Sequence, residues 1–234
     1  MLGLGLNIAK PYMLHELDML LIPDLLMWYE RGAAILFRQV FVQEWPNHPE
    51  LNSAYDLVQT NTNNMPNVFT NGADNYTFTG TSELVSATQK DFSEFTIVVT
   101  LNLNESAGLT NEGLLGRRLN DLIKLYRGSS PTRVGYKLEG ANYDGNNMDI
   151  PYPIGDFVMS FIRYSDGKSL IRINGQTVES IQTDISRTLR FNQVGSGTLS
   201  GVGLDSVIYE IAIFENSLID YDLENVEDYL LSRI

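Results

Sequence analysis

Residues 156–178 read Asp156-Phe-Val-Met-Ser-Phe-Ile-Arg-Tyr-Ser-Asp166-Gly167-Lys-Ser-Leu-Ile-Arg-Ile-Asn174-Gly175-Gln-Thr-Val178. Asp-Gly and Asn-Gly supply the positive φ angles that tight hairpin turns demand, so this stretch predicts three antiparallel strands in a meander. The same hydrophobic period of two returns in Tyr76-Thr-Phe78-Thr79, in Phe95-Thr-Ile97-Val-Val99-Thr-Leu101-Asn-Leu103 and in Val134-Gly-Tyr136-Lys-Leu138-Glu139. Alternation of this kind marks half-buried strands. A further strand is expected over 207–214, after the Gly-rich run 195–203. Helical spacing is confined to the tail, 220–234, where Leu223, Val226, Leu230 and Ile234 recur at three or four residues and the early acids suit a helix N-terminus. The chain is thus read as all-β with a short C-terminal helix. No internal repeat of about 20–50 residues is visible, and one domain over 24–234 with an N-terminal arm over 1–23 accounts for the pattern.

Composition narrows the chemistry. The 234 residues include no Cys and two His, so disulfides, thiolate nucleophiles and Cys-ligated metals are excluded. The net charge of −13 argues against a general nucleic-acid binder, which would need Lys and Arg to neutralise phosphates. The charge is uneven: residues 201–234 hold eight acids against Arg233, whereas 117–139 hold six basic residues against Asp121 and Glu139. Both runs read as solvated faces, or alternatively as complementary charge that orients copies in an assembly. The opening residues lack a basic n-region, and Met19–Trp28 is broken by Pro23 and Asp24, so neither a signal peptide nor a membrane span is expected.

Within the arm, Leu2, Leu4, Leu6 and Ile8 alternate with Gly3, Gly5 and Asn7. Such a segment can cover an edge of its own sheet or add a strand to another subunit. It is one candidate assembly contact. Arg117, Arg118, Lys124 and Arg127 in the basic run are the other.

The order Asp24-Leu-Leu-Met-Trp-Tyr29, Val42-Gln-Glu-Trp45, Asp56-Leu-Val-Gln-Thr60, Met65-Pro-Asn-Val68 and Tyr76-Thr-Phe-Thr-Gly80 resembles the N-terminal half of concanavalin A-like, laminin-G-like sandwich domains of phage structural and bacterial surface proteins. Ile162–Gly167, Leu170–Gly175 and Val207–Phe214 resemble the second half. The resemblance implies an antiparallel two-sheet jelly-roll sandwich. It further implies a non-catalytic structural or attachment protein of a tailed-phage virion, made in the host cytoplasm and partnered by other virion proteins in multiple copies. The alternative is a carbohydrate-binding module or adhesin for a host glycan, with Tyr143, Tyr152 and the 142–149 loop as its candidates. Neither reading calls for nucleic acid or a membrane as partner. Trp28 and Trp45 are read as core. The segment Trp45-Pro-Asn-His-Pro-Glu50 stands where the family often has an Asp- and Gly-rich loop, which puts any family ion or glycan site there in doubt.

Sandwich glycosidases of the laminarinase type carry a "glutamate, x, aspartate, x, x, glutamate" strand. Here Glu16-Leu17-Asp18 supplies two of its acids and lacks the third. His15 lies in the arm and His48 between prolines, with no Gly-x-Ser-x-Gly elbow beside them. No catalytic residues are expected. No cofactor is implied either, beyond a calcium reading of Asp144, Asn146, Asn147 and Asp149, whose short oxygen side chains suit a hard cation but equally make turns.

Overall fold

The computed structural model describes residues 19–37, 41–68, 76–79, 81–103, 110–117, 121–127, 133–144, 155–195 and 206–234. In chain order its strands are β1 (Leu25–Tyr29), β2 (Ile35–Phe37), β3 (Phe41–Trp45), β4 (Leu57–Val58), β5 (Asn67–Val68), β6 (Tyr76–Phe78), β7 (Leu84–Phe92), β8 (Phe95–Leu103) and β9 (Thr110–Arg117). They continue as β10 (Asp121–Arg127), β11 (Arg133–Leu138), β12 (Ala141–Asp144), β13 (Phe157–Arg163), β14 (Lys168–Ile173), β15 (Gln176–Gln182), β16 (Leu189–Val194) and β17 (Ser206–Phe214), followed by helix α1 (Asp220–Leu231). Every pairing among the described residues is antiparallel. One ladder runs β1–β17–β8–β13–β14–β15. A second runs β4–β7–β16–β9–β10–β11–β12. Short strands β6, β5 and β3 link β17 to β4, so the hydrogen bonding is continuous across the sheet.

Both ladders feed one apolar cluster. Phe95, Ile97, Val99 and Leu101 of β8 and Met159 and Phe161 of β13 meet Phe92, Leu115, Tyr136 and Phe191 from the other ladder. The ring centroids of Phe95 and Tyr136 are 6.0 Å apart and those of Tyr136 and Phe161 are 6.3 Å apart, in the range where tilted and edge-to-face aromatic pairs are favourable. Full burial of each such side chain contributes roughly 1.5–3 kcal/mol. Trp28 and Trp45 are fully buried, as core residues should be.

The alternating strand over 95–103 departs from the half-buried expectation. Thr96, Val98 and Thr100, on its other face, are also fully buried. The reason is a second apolar cluster, in which Val98, Val158, Ile162 and Ala212 are covered by Leu223, Val226, Tyr229 and Leu230 of α1 and by Met19 and Ile22. The last residues assigned to the arm, Met19 and Ile22, therefore pack into this second cluster; residues 1–18, with Leu2, Leu4, Leu6 and Ile8, lie outside the described residues.

The meander forms as expected, but its two turns differ. Asn174 (φ +47°) and Gly175 (φ +79°) make a two-residue turn with both angles positive. At Asp166-Gly167 only Gly167 has positive φ (+82°). There the Gly167 N–H donates to Tyr164 O and the Tyr164 N–H to Lys168 O, each at 2.9 Å, which makes a three-residue loop closed by a left-handed glycine.

The acidic tail is not simply a solvated face. Glu227 on α1 is 3% exposed, and its Oε1 accepts from Ser160 Oγ (2.6 Å) and Arg172 Nε (3.0 Å), while Oε2 accepts from Arg172 Nη2 (2.9 Å). Helix α1 is thus bound to β13 and β14 by a buried ion pair as well as by its apolar stripe.

Candidate functional site

Residues 59–64, Gln-Thr-Asn-Thr-Asn-Asn, follow β4 and form a turn built from amide side chains. Asn and Thr favour such turns because their side chains bond nearby backbone. Asn61 Oδ1 accepts from the Asn63 N–H at 3.1 Å, and Asn61 O accepts from the Asn64 N–H at 2.9 Å. Gln59 anchors the base: its Oε1 accepts from the Asn61 N–H (2.9 Å) and its Nε2 donates to Glu83 O (3.1 Å). The Glu83 N–H in turn donates to Asn64 O at 2.9 Å, tying the turn to the segment entering β7. With the backbone held in this way, the side chains of Thr60, Asn61, Thr62 and Asn63 are exposed.

Residues of this ridge line two clefts. The first, of about 520 Å³, is lined by Phe41, Thr62, Asn63, Met65, Asn67, Thr79, Thr81 and Ser82. Phe41 is half-buried and paired with Asn67 across β3 and β5. The second, of about 550 Å³, lies over the β4–β7 edge and includes Asp56, Gln59, Thr60, Glu83, Ser86 and Thr88. Pockets of this size usually have mainly apolar walls; the first presents hydroxyls and amides beside Phe41 and Met65, and the second sets Gln59, Thr60, Ser86 and Thr88 beside Val58 and Val85. An amide both donates and accepts, which suits a ligand whose own hydroxyls do the same. Asp56 Oδ1 accepts from the Asn47 N–H at 2.8 Å, and Glu83 Oε2 accepts from Gln193 Nε2. Burial, with help from Asp56, raises the Tyr29 pKa well above its usual value, so that hydroxyl stays a donor, to Tyr55 O at 2.7 Å.

Within the Trp45–Glu50 segment, Trp45, Asn47 and His48 are turned inward, while Pro49 and Glu50 are exposed. Asn47 Oδ1 accepts from the N–H of Trp28 (2.7 Å) and of His48 (3.1 Å), and the His48 ring stacks on Trp28 at 4.8 Å. The Trp28 indole N–H donates to Glu210 Oε1 (2.7 Å), while Glu210 Oε2 accepts from Arg233 Nε (2.8 Å). Burial raises the Glu210 pKa although Arg233 and the indole pull it down. This network joins β1, β17 and the C-terminal residues; His48 is a packing residue within it.

The residues singled out from the sequence lie elsewhere. Lys124 is 3% exposed and donates from Nζ to Asn142 Oδ1 at 2.8 Å, so its charge is turned in from the basic run. Arg117 is exposed at the end of β9; Arg127 ends β10, and Arg118 lies outside the described residues. Tyr143 packs against the main core. Asp144 ends β12, and Asn146, Asn147, Asp149 and Tyr152 lie outside the described residues, as do His15, Glu16 and Asp18. Among the described residues no group of three or more His, Asp or Glu is placed to hold a metal ion. The 59–64 turn escaped the sequence reading because Asn and Thr runs signal a loop without saying what the loop borders; Gln-Thr-Asn-Thr-Asn-Asn following an apolar pair was the available cue.

No protein-family model and no curated protein matches the sequence. Solved structures do match in fold. Domain 4 of AbnA, a GH43 extracellular arabinanase from Geobacillus stearothermophilus, solved in complex with arabinotriose, gives a TM-score of 0.50 at 16% identity over 70% of this chain and 80% of that one. The binding domain of botulinum neurotoxin DC, in complex with SialylT, gives 0.54 at 14% identity over 82% of this chain. A Trypanosoma rangeli sialidase in complex with sialic acid gives 0.57 at 12% identity over 90% of this chain. The present chain spans about half of the toxin chain (51%) and a third of the sialidase (33%). At these identities the likeness is one of fold, and it supports the β-sandwich reading. None of these three is described as a virion protein.

Proposed function

We propose that this chain is a non-catalytic carbohydrate-binding module built on a concanavalin A-like, two-layer jelly roll. Three of the proteins that share its fold were solved with glycans bound: arabinotriose, SialylT and sialic acid. The observation that carries the reading is the pair of clefts around the Gln59–Asn64 ridge, whose walls offer Thr62, Asn63, Asn67 and Thr60 to sugar hydroxyls. Phe41 supplies an apolar ring for the C–H face of a pyranose. The first cleft's described lining holds no acid for glycoside hydrolysis, and the two carboxylates of the second, Asp56 and Glu83, are engaged as structural acceptors, from the Asn47 N–H and Gln193 Nε2. The alternative of a virion structural protein rests on the sequence resemblance alone and draws no support from the structural neighbours.

A glycan array probed with the full chain tests this reading. A bound glycan that is lost in Phe41→Ala and weakened at least about tenfold in Asn63→Ala, with both variants melting near the wild-type temperature, is the expected result. An empty array, or binding indifferent to both substitutions, refutes the site.

A further inference from the structure

The two clefts are lined by adjoining stretches of chain. Thr62 lines the first cleft and Thr60 the second, and the adjacent residues Ser82 and Glu83 line the first and second cleft respectively. Two residues of chain span at most about 7 Å, so a single extended ligand crossing the ridge touches both sides. The two volumes are nearly equal, about 520 and 550 Å³.

Their charge is one-sided. Among the described lining residues neither cleft has a Lys or Arg, while the second has Asp56 and Glu83. Both carboxylates have their hydrogen bonds from neutral donors, the Asn47 N–H and the Gln193 amide, so no cation offsets them within those contacts. A sialic or uronic acid entering the second cleft would set its carboxylate against two others, at a surface where charges about 4 Å apart interact several times more strongly than in bulk water. Neutral hydroxyls meet no such opposition, because carboxylate oxygens accept hydrogen bonds from them.

We propose that the two clefts act as one groove for a neutral oligosaccharide of more than one sugar ring, and that Asp56 and Glu83 exclude anionic glycans. The inference rests on the carbohydrate-binding reading and names its substrate class. It separates this chain from the two neighbours above whose bound ligands are sialylated or sialic acid.

The test measures binding of the full chain to neutral oligosaccharides and to the same oligosaccharides bearing a terminal sialic or uronic acid, at low and physiological salt. The expected result is a preference of at least about fivefold for the neutral member, shrinking as salt rises and narrowing in Glu83→Gln. That substitution keeps an acceptor for Gln193. Asp56→Asn, which keeps Oδ1 for the Asn47 N–H, serves as the second variant and should narrow the preference in the same direction. Affinity should also climb from the monosaccharide to the trisaccharide. Equal or tighter binding of the acidic member, or a preference unmoved by both variants, overturns the charge argument while the module still binds sugar. Equal affinity for mono- and trisaccharide overturns the single groove. Failure to bind any glycan removes the carbohydrate reading itself and this inference with it.

Discussion

Replacing Glu227 by Ala should unfasten helix α1 from the sheet. The carboxylate is 3% exposed and receives three hydrogen bonds, one from Ser160 and two from Arg172. Its removal strands the 9%-exposed Arg172 guanidinium, which keeps only the Gly175 carbonyl among these partners, and leaves the fully buried Ser160 hydroxyl without its acceptor. Breaking a buried pair from one side costs about 3–5 kcal/mol, far more than the pair is worth relative to an apolar replacement. For a chain of this length each kcal/mol moves the midpoint by about 2–4 °C, so Tm should fall by about 6–20 °C. Thermal and urea unfolding followed by circular dichroism give the shift. The triple variant Glu227→Met, Arg172→Met, Ser160→Ala removes every polar group of the cluster together and should return most of the loss. A fall of less than about 1 kcal/mol in Glu227→Ala, or a triple variant no better than the single, would show that α1 is held by its apolar stripe alone.

Val99→Asp places an unpaired charge between the two ladders, at a cost of several kcal/mol; no cooperatively melting soluble protein should be recovered, and recovering one would mean the β8 register is wrong. Gly167→Ala forces an L residue to φ +82° and brings a Cβ to 2.4 Å from Thr183 O, so it should cost at least about 1–2 kcal/mol in urea unfolding. Glu210 gives a pH signature: burial holds its carboxyl above the usual 4.5, so the folded protein binds a proton that the unfolded chain releases. Its contribution is therefore fully present below about 4.5 and lost as the pH rises through the folded value. Wild-type stability measured against Glu210→Gln should fall between those limits as pH increases; a difference independent of pH would refute the raised carboxyl.

The strands were legible because alternation is a local signal. Ser169, Leu170 and Ile171 announce a strand whatever lies above or below them. What covers the strand is a tertiary fact: alternation predicts a half-buried strand, whereas Val98 lies under α1 and Met19, Thr96 accepts from the Leu218 N–H and Thr100 donates to Glu210 O. The Asp166-Gly167 turn failed in a similar way: the dipeptide marks a turn, but the register of β13 and β14 selects a three-residue loop. Charge was the least legible property. Nothing in the local sequence distinguishes buried Glu210 and Glu227 from exposed Asp220 and Glu224, since each depends on an arginine distant in the chain or on none. The clefts are further removed still, being formed by residues from 41 to 88 that only the β3, β4, β5 and β7 pairings bring together.

Because β8 is roofed on one side by α1 and floored on the other by the main core, its amides have no route to water short of opening the whole sheet. In hydrogen exchange they belong with the slowest class, whose opening free energy equals global stability. The 59–64 turn sits at the opposite extreme: it is tied to Glu83 at its base, through Gln59 and Asn64, and is exposed at the four residues between. It can open alone. Redesign should exploit that separation: insertions or residue exchanges at Thr60–Asn63 draw on a local equilibrium, as exposed turns tolerate, and leave the roofed strands that hold the sandwich together untouched.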